Sequence, residues 1–182
     1  MTMDEGALQM EMYPTTCKAP TWDELSGVYR TLSVARAATL KYRDVRVAMR
    51  DGYFTAPVLF VAGQGYHYVN PFYVPNSARG FDAAHPPVLV YNRIGGHMTL
   101  SGLMYYLPLR TTARQLASIF PASMASWHRH INLCVSGNGK TILPIHTAAA
   151  CQVHGEQFVP STGWMVHAWL YRSGAGIFDM DM

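Results

Sequence analysis

Charge is scarce in this chain. Only 14% of its 182 residues are Asp, Glu, Lys or Arg, against about 25% in an ordinary globular domain. Fourteen basic and eleven acidic residues leave a formal net charge of +3, and no block of the sequence gathers the excess. No nucleic-acid partner is therefore expected, because phosphate binding draws on a basic stripe. Long apolar runs are also missing. No stretch reaches the ~20 residues of a membrane-crossing helix, so no membrane span is expected. The first twenty residues carry Asp4, Glu5 and Glu11, where a secretory leader would be positive and then apolar. The expectation is a cytoplasmic protein or the mature form of an exported one. Cysteine is sparse and odd in number: Cys17, Cys134 and Cys151. At least one thiol then lacks a partner in its own chain. Cys134 ends an apolar run and Cys151 follows a small-residue run, so a bridge between them and two buried thiols both remain open.

What is plentiful is apolar and aromatic matter. The hydrophobic fraction is 49%, with eight His, eleven Tyr, four Trp and eleven Met. That composition excludes intrinsic disorder, and a chain of this size buries roughly 70% of its unfolded surface. Residues 1–20, punctuated by Pro14 and Pro20, read as irregular. Residues 21–182 read as a single α+β domain, helical over 21–51 and β-rich over 53–182. Thr21 opens the helical part, with Glu24 as capping-box partner. Leu25, Val28, Tyr29 and Leu32 repeat at helical spacing, and the pattern runs to about Met49 as one bent helix or two, with Ser33 as a candidate second cap. Asp51-Gly52 stops it. Apolar or alternating runs then occupy 53–62, 66–69, 87–92, 97–108, 126–135 and 164–171. Asn138-Gly139 signals a hairpin turn, and short helices are expected over 111–120 and near 146–153. The fold class is α+β: an N-terminal helical segment packed on a mainly antiparallel sheet or a small cupin-like barrel.

The segment Ser126-Trp127-His128-Arg129-His130-Ile131-Asn132-Leu133-Cys134 carries the chemistry. Strand alternation places His128, His130, Asn132 and Cys134 on one side and Trp127, Ile131 and Leu133 on the other, with Arg129 among them. Two imidazoles spaced i, i+2 lie about 7 Å apart at their backbones and can converge on one ion. Neutral imidazole is a ligand suited to copper, zinc and iron. His67 and His167 each sit inside an apolar strand run, where a ring without a partner costs on the order of 2 kcal/mol or more. Taken singly, His67 and His167 each fit a satisfied core histidine, and His128 and His130 fit surface-strand histidines that merely titrate. Taken together, His67, His128, His130 and His167 read as one mononuclear site.

Met104, between Leu103 and Tyr105, is ordinarily a packing residue. A thioether beside imidazoles would select copper, and Gly102 on the same face leaves room for an ion. The pairs Met10/Met12 and Met180/Met182 lie near the chain ends and add little. His85, His97, His146 and His154 read as solvated or structural. Tyr66, Tyr68, Tyr106, Trp127, Asn132 and Trp169 are the candidate pocket. Other patterns fail on their own terms. Gly139-Lys140-Thr141 has Cys134 where a phosphate loop needs glycine, and no Gly-x-Ser-x-Gly elbow exists.

The His-x-His pair with a later histidine on another strand resembles the cupin metal motif, although Cys134 and Val135 stand where cupins carry Glu. A closer resemblance lies in Gly65-Tyr66-His67-Tyr68-Val69-Asn70-Pro71, Trp127-His128-Arg129-His130-Ile131-Asn132-Leu133-Cys134 and Trp164-Met165-Val166-His167-Ala168-Trp169. These tracts are similar to an exported bacterial family of unknown function, in which an acidic residue often stands at the place of Met104. The resemblance implies an oxidising compartment, periplasmic or secreted, and there a Cys134–Cys151 disulfide with Cys17 free. The expectation for function is a mononuclear metal-binding protein. Copper is favoured over zinc or iron, with His67, His128, His130, His167 and Met104 as ligands, and the chemistry is that of an oxidoreductase on a small or aromatic substrate. A non-catalytic copper-binding or storage protein and a metal-free small-ligand-binding β module are the alternatives.

Overall fold

The computed structural model describes residues 2–5, 8–14, 16, 18–55, 60–61, 63–76, 80–137, 142–172 and 176–180, the side chains of 2–5 and 75–76 excepted. The expected turn at Asn138-Gly139, the thiol of Cys17, part of the 53–62 run and Met182 lie outside the described residues.

Helix α1 spans Trp22–Thr39. Its capping box closes as the spacing predicts: the Glu24 amide donates to Thr21 Oγ1 at 3.3 Å and the Thr21 amide donates to the Glu24 carboxylate at 2.7 Å. Val28, Leu32, Ala35 and Thr39 form its buried stripe. The helical run to Met49 is two helices rather than one, and Ser33 does not cap the second. A 3-10 turn over Leu40–Arg43 intervenes, and Asp44 starts α2, Val45–Arg50, by accepting the Arg46 amide at 3.0 Å. Asp is among the best N-caps because its carboxylate satisfies an amide that the helix leaves orphaned, so the chain breaks there. Three short helices follow: α3 (Tyr73–Asn76), α4 (Ala113–Ile119) and α5 (Ala148–Val153). No helix of the described residues is long and apolar enough to cross a membrane.

The strands are β1 (Thr2–Glu5), β2 (Leu8–Met12), β3 (Phe60–Val61), β4 (Gly65–Val69), β5 (Val88–Ile94), β6 (His97–Leu107), β7 (His128–Val135), β8 (Ile142–Leu143), β9 (Gln157–Ser161) and β10 (Trp164–Ala168). They make one antiparallel sheet in the order β1-β2-β7-β10-β6-β5-β4-β3, with β8 and β9 also on β7. The fold is therefore α+β with an open sheet rather than a closed barrel. The first twenty residues are not all irregular: β2 lies along β7, with Met10 opposite His130 and Met12 opposite His128. Strand β9, containing Pro160, was not anticipated either.

Directly opposed residues share a face. One face, with Tyr68, Leu89, Tyr91, Leu103, Tyr105, Val166 and Ala168, joins Val28, Leu32 and Ala35 of α1 and Trp127 and Phe120 in the main core. The other face carries His67, Val90, Gly102, Met104, Met165, His167 and His128 by register. Strands β10 and β4 are three places apart in the sheet, which is about 14 Å on a flat surface. Their imidazole tips nevertheless meet at 3.2 Å. The sheet thus curls, concave toward the histidines.

Candidate functional site

Each histidine reaches the concave face because it alternates with a core residue. His67 is flanked by Tyr66 and Tyr68 on β4, and His167 by Val166 and Ala168 on β10. His128 and His130 occupy alternate positions of β7. The rings form a chain: His67 to His167 at 5.5 Å between centroids, His167 to His128 at 5.6 Å and nearly parallel, and His128 to His130 at 5.7 Å. The structure brings all four together.

Their tautomers follow from their partners. His67 Nδ1 lies 3.2 Å from Gly65 O, and His128 Nδ1 lies 3.1 Å from Ser126 O. A carbonyl only accepts, so both Nδ1 atoms carry a proton, and a ring with that one proton bears its lone pair on Nε2. Fixing the outer nitrogen against a carbonyl is the usual way a ligand histidine is oriented. Between the two strands, His67 Nε2 and His167 Nε2 stand 3.2 Å apart. The Nδ1 atoms of His130 and His167 are buried without a hydrogen-bond partner among the described residues. Burial, with the neighbouring imidazoles second, holds His167 well below the ordinary histidine value and His130 down to about 3. Both are neutral at neutral pH, the form that coordinates metals.

As placed, no three His, Cys, Asp or Glu side chains among the described residues are gathered closely enough to hold an ion together. The Nε2 atoms of His67 and His167, 3.2 Å apart, stand at ligand spacing. Methionine thioethers border this face. Met104 is opposite His167, Met10 opposite His130, and His128 lies between Met12 on one side and Met165 on the other. Met10 is only 2% exposed, so the N-terminal methionines that the sequence placed at a chain end are part of this wall. The signal was the alternation Leu8-Gln9-Met10-Glu11-Met12, a two-residue period in a segment without β-branched residues.

The pocket candidates divide. Trp169 belongs with the histidines: its ring stacks on His167 at 5.2 Å with a 4° tilt, and its Nε1 donates to Asp179 O. It also fills the space over Gly102, where an added Cβ would lie 2.6 Å from Trp169 Cε3. The room that Gly102 was expected to leave for an ion is taken by an indole. Tyr66, Tyr68 and Trp127 fall on the core side of the sheet, Tyr68 against Tyr91 and Trp127 stacked on Phe120. Asn132 adopts a left-handed φ of 54° and donates to Gln9 Oε1 at 3.0 Å. Gln9 sits opposite Ile131, on the side away from His130, so the amide of Asn132 turns from the cluster. Further along β7, Cys134 is disulfide-bonded to Cys151 of α5.

Tyr106 opens elsewhere. It lines a cavity of about 570 Å³ with Phe72, Tyr73, Phe81, Asp82, His85 and Tyr105, and none of the four clustered histidines lines it. Sequence reasoning missed this site because its residues come from α3 and its flanks, from the segment 80–87 and from the end of β6, which no short motif links. Comparison with protein-family models, curated proteins and solved structures finds no match for the chain. What the molecule does is therefore argued from its own geometry.

Proposed function

We propose that the protein binds a single copper ion, as Cu(I), on the concave face between β4, β7 and β10. The observation that carries this is the 3.2 Å between His67 Nε2 and His167 Nε2. Two imidazoles on one tetrahedral ion, with bonds of about 2.0–2.1 Å, hold their nitrogens about 3.3 Å apart. His67 already has its outer nitrogen tied to Gly65 O, and His167 is held neutral. His128 and His130 complete the set by turning about their side-chain torsions. The methionines opposite His128, His130 and His167 select the metal, since thioethers favour Cu(I) over zinc or iron. The Cys134–Cys151 bridge suits an exported protein. Binding, rather than oxidation of a substrate, is what this packed site supports.

A metal-free reading has one observation in its favour. His167 Nε2–H can donate to His67 Nε2, whose own Nδ1–H donates to Gly65 O, which satisfies the pair without an ion. Anaerobic titration with Cu(I) against a chromophoric chelator separates the two. Copper reading: one ion per chain is withheld from the chelator, and His167→Gln loses it. If parent and variant withhold none, the histidines are core groups that satisfy one another.

A further inference from the structure

We propose that the cavity beside Tyr106 is a binding site for a small phenol-type aromatic, separate from the histidine cluster and independent of the copper reading. The cavity of about 570 Å³ falls within the ~300–1,000 Å³ of small-molecule sites. Its walls are largely aromatic. Phe81 packs on Tyr105 at 4.7 Å, and Phe72 is 70% exposed at the rim.

Two polar groups give this apolar space a direction. Asp82 accepts the Ala84 amide with Oδ1 at 2.9 Å and His85 Nδ1–H with Oδ2 at 2.8 Å. The carboxylate thus accepts the proton of His85 Nδ1, so the lone pair of the singly protonated imidazole is on Nε2. The ring is braced against Tyr73 at 5.1 Å. Across the lining, Tyr106 Oη accepts the Gly163 amide at 2.8 Å, which leaves its own O–H as a donor. One acceptor and one donor are the complement of a single hydroxyl. A guest hydroxyl donates to His85 Nε2 and accepts from Tyr106, while its ring lies among Phe72, Phe81 and Tyr105. A carboxylate guest fits poorly, because Asp82 already holds negative charge at the wall, and a plain hydrocarbon would leave His85 and Tyr106 unanswered.

The test uses the intact protein with 2-naphthol as the probe and naphthalene as the comparator lacking the hydroxyl. Isothermal titration should give one saturable site for 2-naphthol, with naphthalene at least about tenfold weaker, the worth of one well-made hydrogen bond. His85→Ala, at a half-exposed side chain, should bring 2-naphthol to within about threefold of naphthalene. Phe72→Ala should weaken both probes by about threefold or more. No saturable 2-naphthol binding, equal binding of naphthalene by the parent, or unchanged affinity in both variants would each overturn the site.

Discussion

The clustered histidines differ in how each is held, and the difference shows in their titration. His67 and His128 lean on the carbonyls of Gly65 and Ser126. His167 and His130 are held neutral chiefly by burial. A histidine kept neutral in the fold takes up a proton on unfolding once the pH drops below about 6.5. The metal-free protein should therefore be most stable above that value. It should lose stability as the pH falls toward about 3, where His130 protonates in the folded state. The slope should approach about 1.4 kcal/mol per pH unit for each proton involved. Denaturant melts at a series of pH values measure it, and a flat profile between pH 6.5 and 4 would contradict the neutral, buried state. The methionines are separable from the packing they provide. Met10→Leu keeps nearly the same volume and should change stability by less than about 1.5 kcal/mol. It should weaken Cu(I) binding while leaving Zn(II) binding unaltered, and Met104→Leu should act in the same direction. Competition titrations with each ion read both effects. Unchanged Cu(I) affinity in both variants would make these side chains filler only.

At the level of elements, β7 is the hub: it pairs with β2, β8, β9 and β10, so the His-x-His strand is fixed from both edges. Strand β6, on the far side of β10 from β7, depends on a glycine. A Cβ at Gly102 would come within 2.6 Å of Trp169 Cε3 and 3.0 Å of Ala168 O. Gly102→Ala should therefore destabilise the fold by about 1–3 kcal/mol and lift the indole from His167, visible as a changed tryptophan fluorescence spectrum. A variant as stable as the parent with the same spectrum would contradict the stacking. Much of this organisation was legible in the sequence. The capping box at Thr21 and Glu24, the alternation in 126–135 and the apolar runs around His67 and His167 each announced the element that forms. The break at Asp44 was hidden because apolar periodicity continues through it, and only a short polar side chain redirects the chain. β2 was hidden because two of its three apolar residues are methionines, which signal strand weakly. That Tyr66 and Tyr68 face away from His67 follows from the same alternation that sets His128 and His130 on one face of β7, and that the left-handed φ of Asn132 breaks. The space over Gly102 could not be read locally, because the indole filling it comes from Trp169, the residue after β10.

At the scale of the whole molecule, α1, α2 and α4 pack on one face of the sheet, and the curl gathers the histidines on the other. Such a concave face needs its edges held, and the Cys134–Cys151 bridge ties α5 to β7 across a separation of 17 residues. Closing a loop of this length stabilises a fold by about 3 kcal/mol, which corresponds to roughly 6–12 °C in Tm for a domain of this size. Reduction should lower the melting temperature by about that much, and thiol titration of the denatured, unreduced chain should find one free thiol. Three free thiols would contradict the bridge. The copper proposal itself meets its most direct test in elemental analysis of the purified protein after copper loading and removal of excess metal, alongside the double variant His128→Ala/His130→Ala. One copper per chain in the parent and none in the folded double variant is the expected result. Equal copper in both, or none in the parent, would contradict the site.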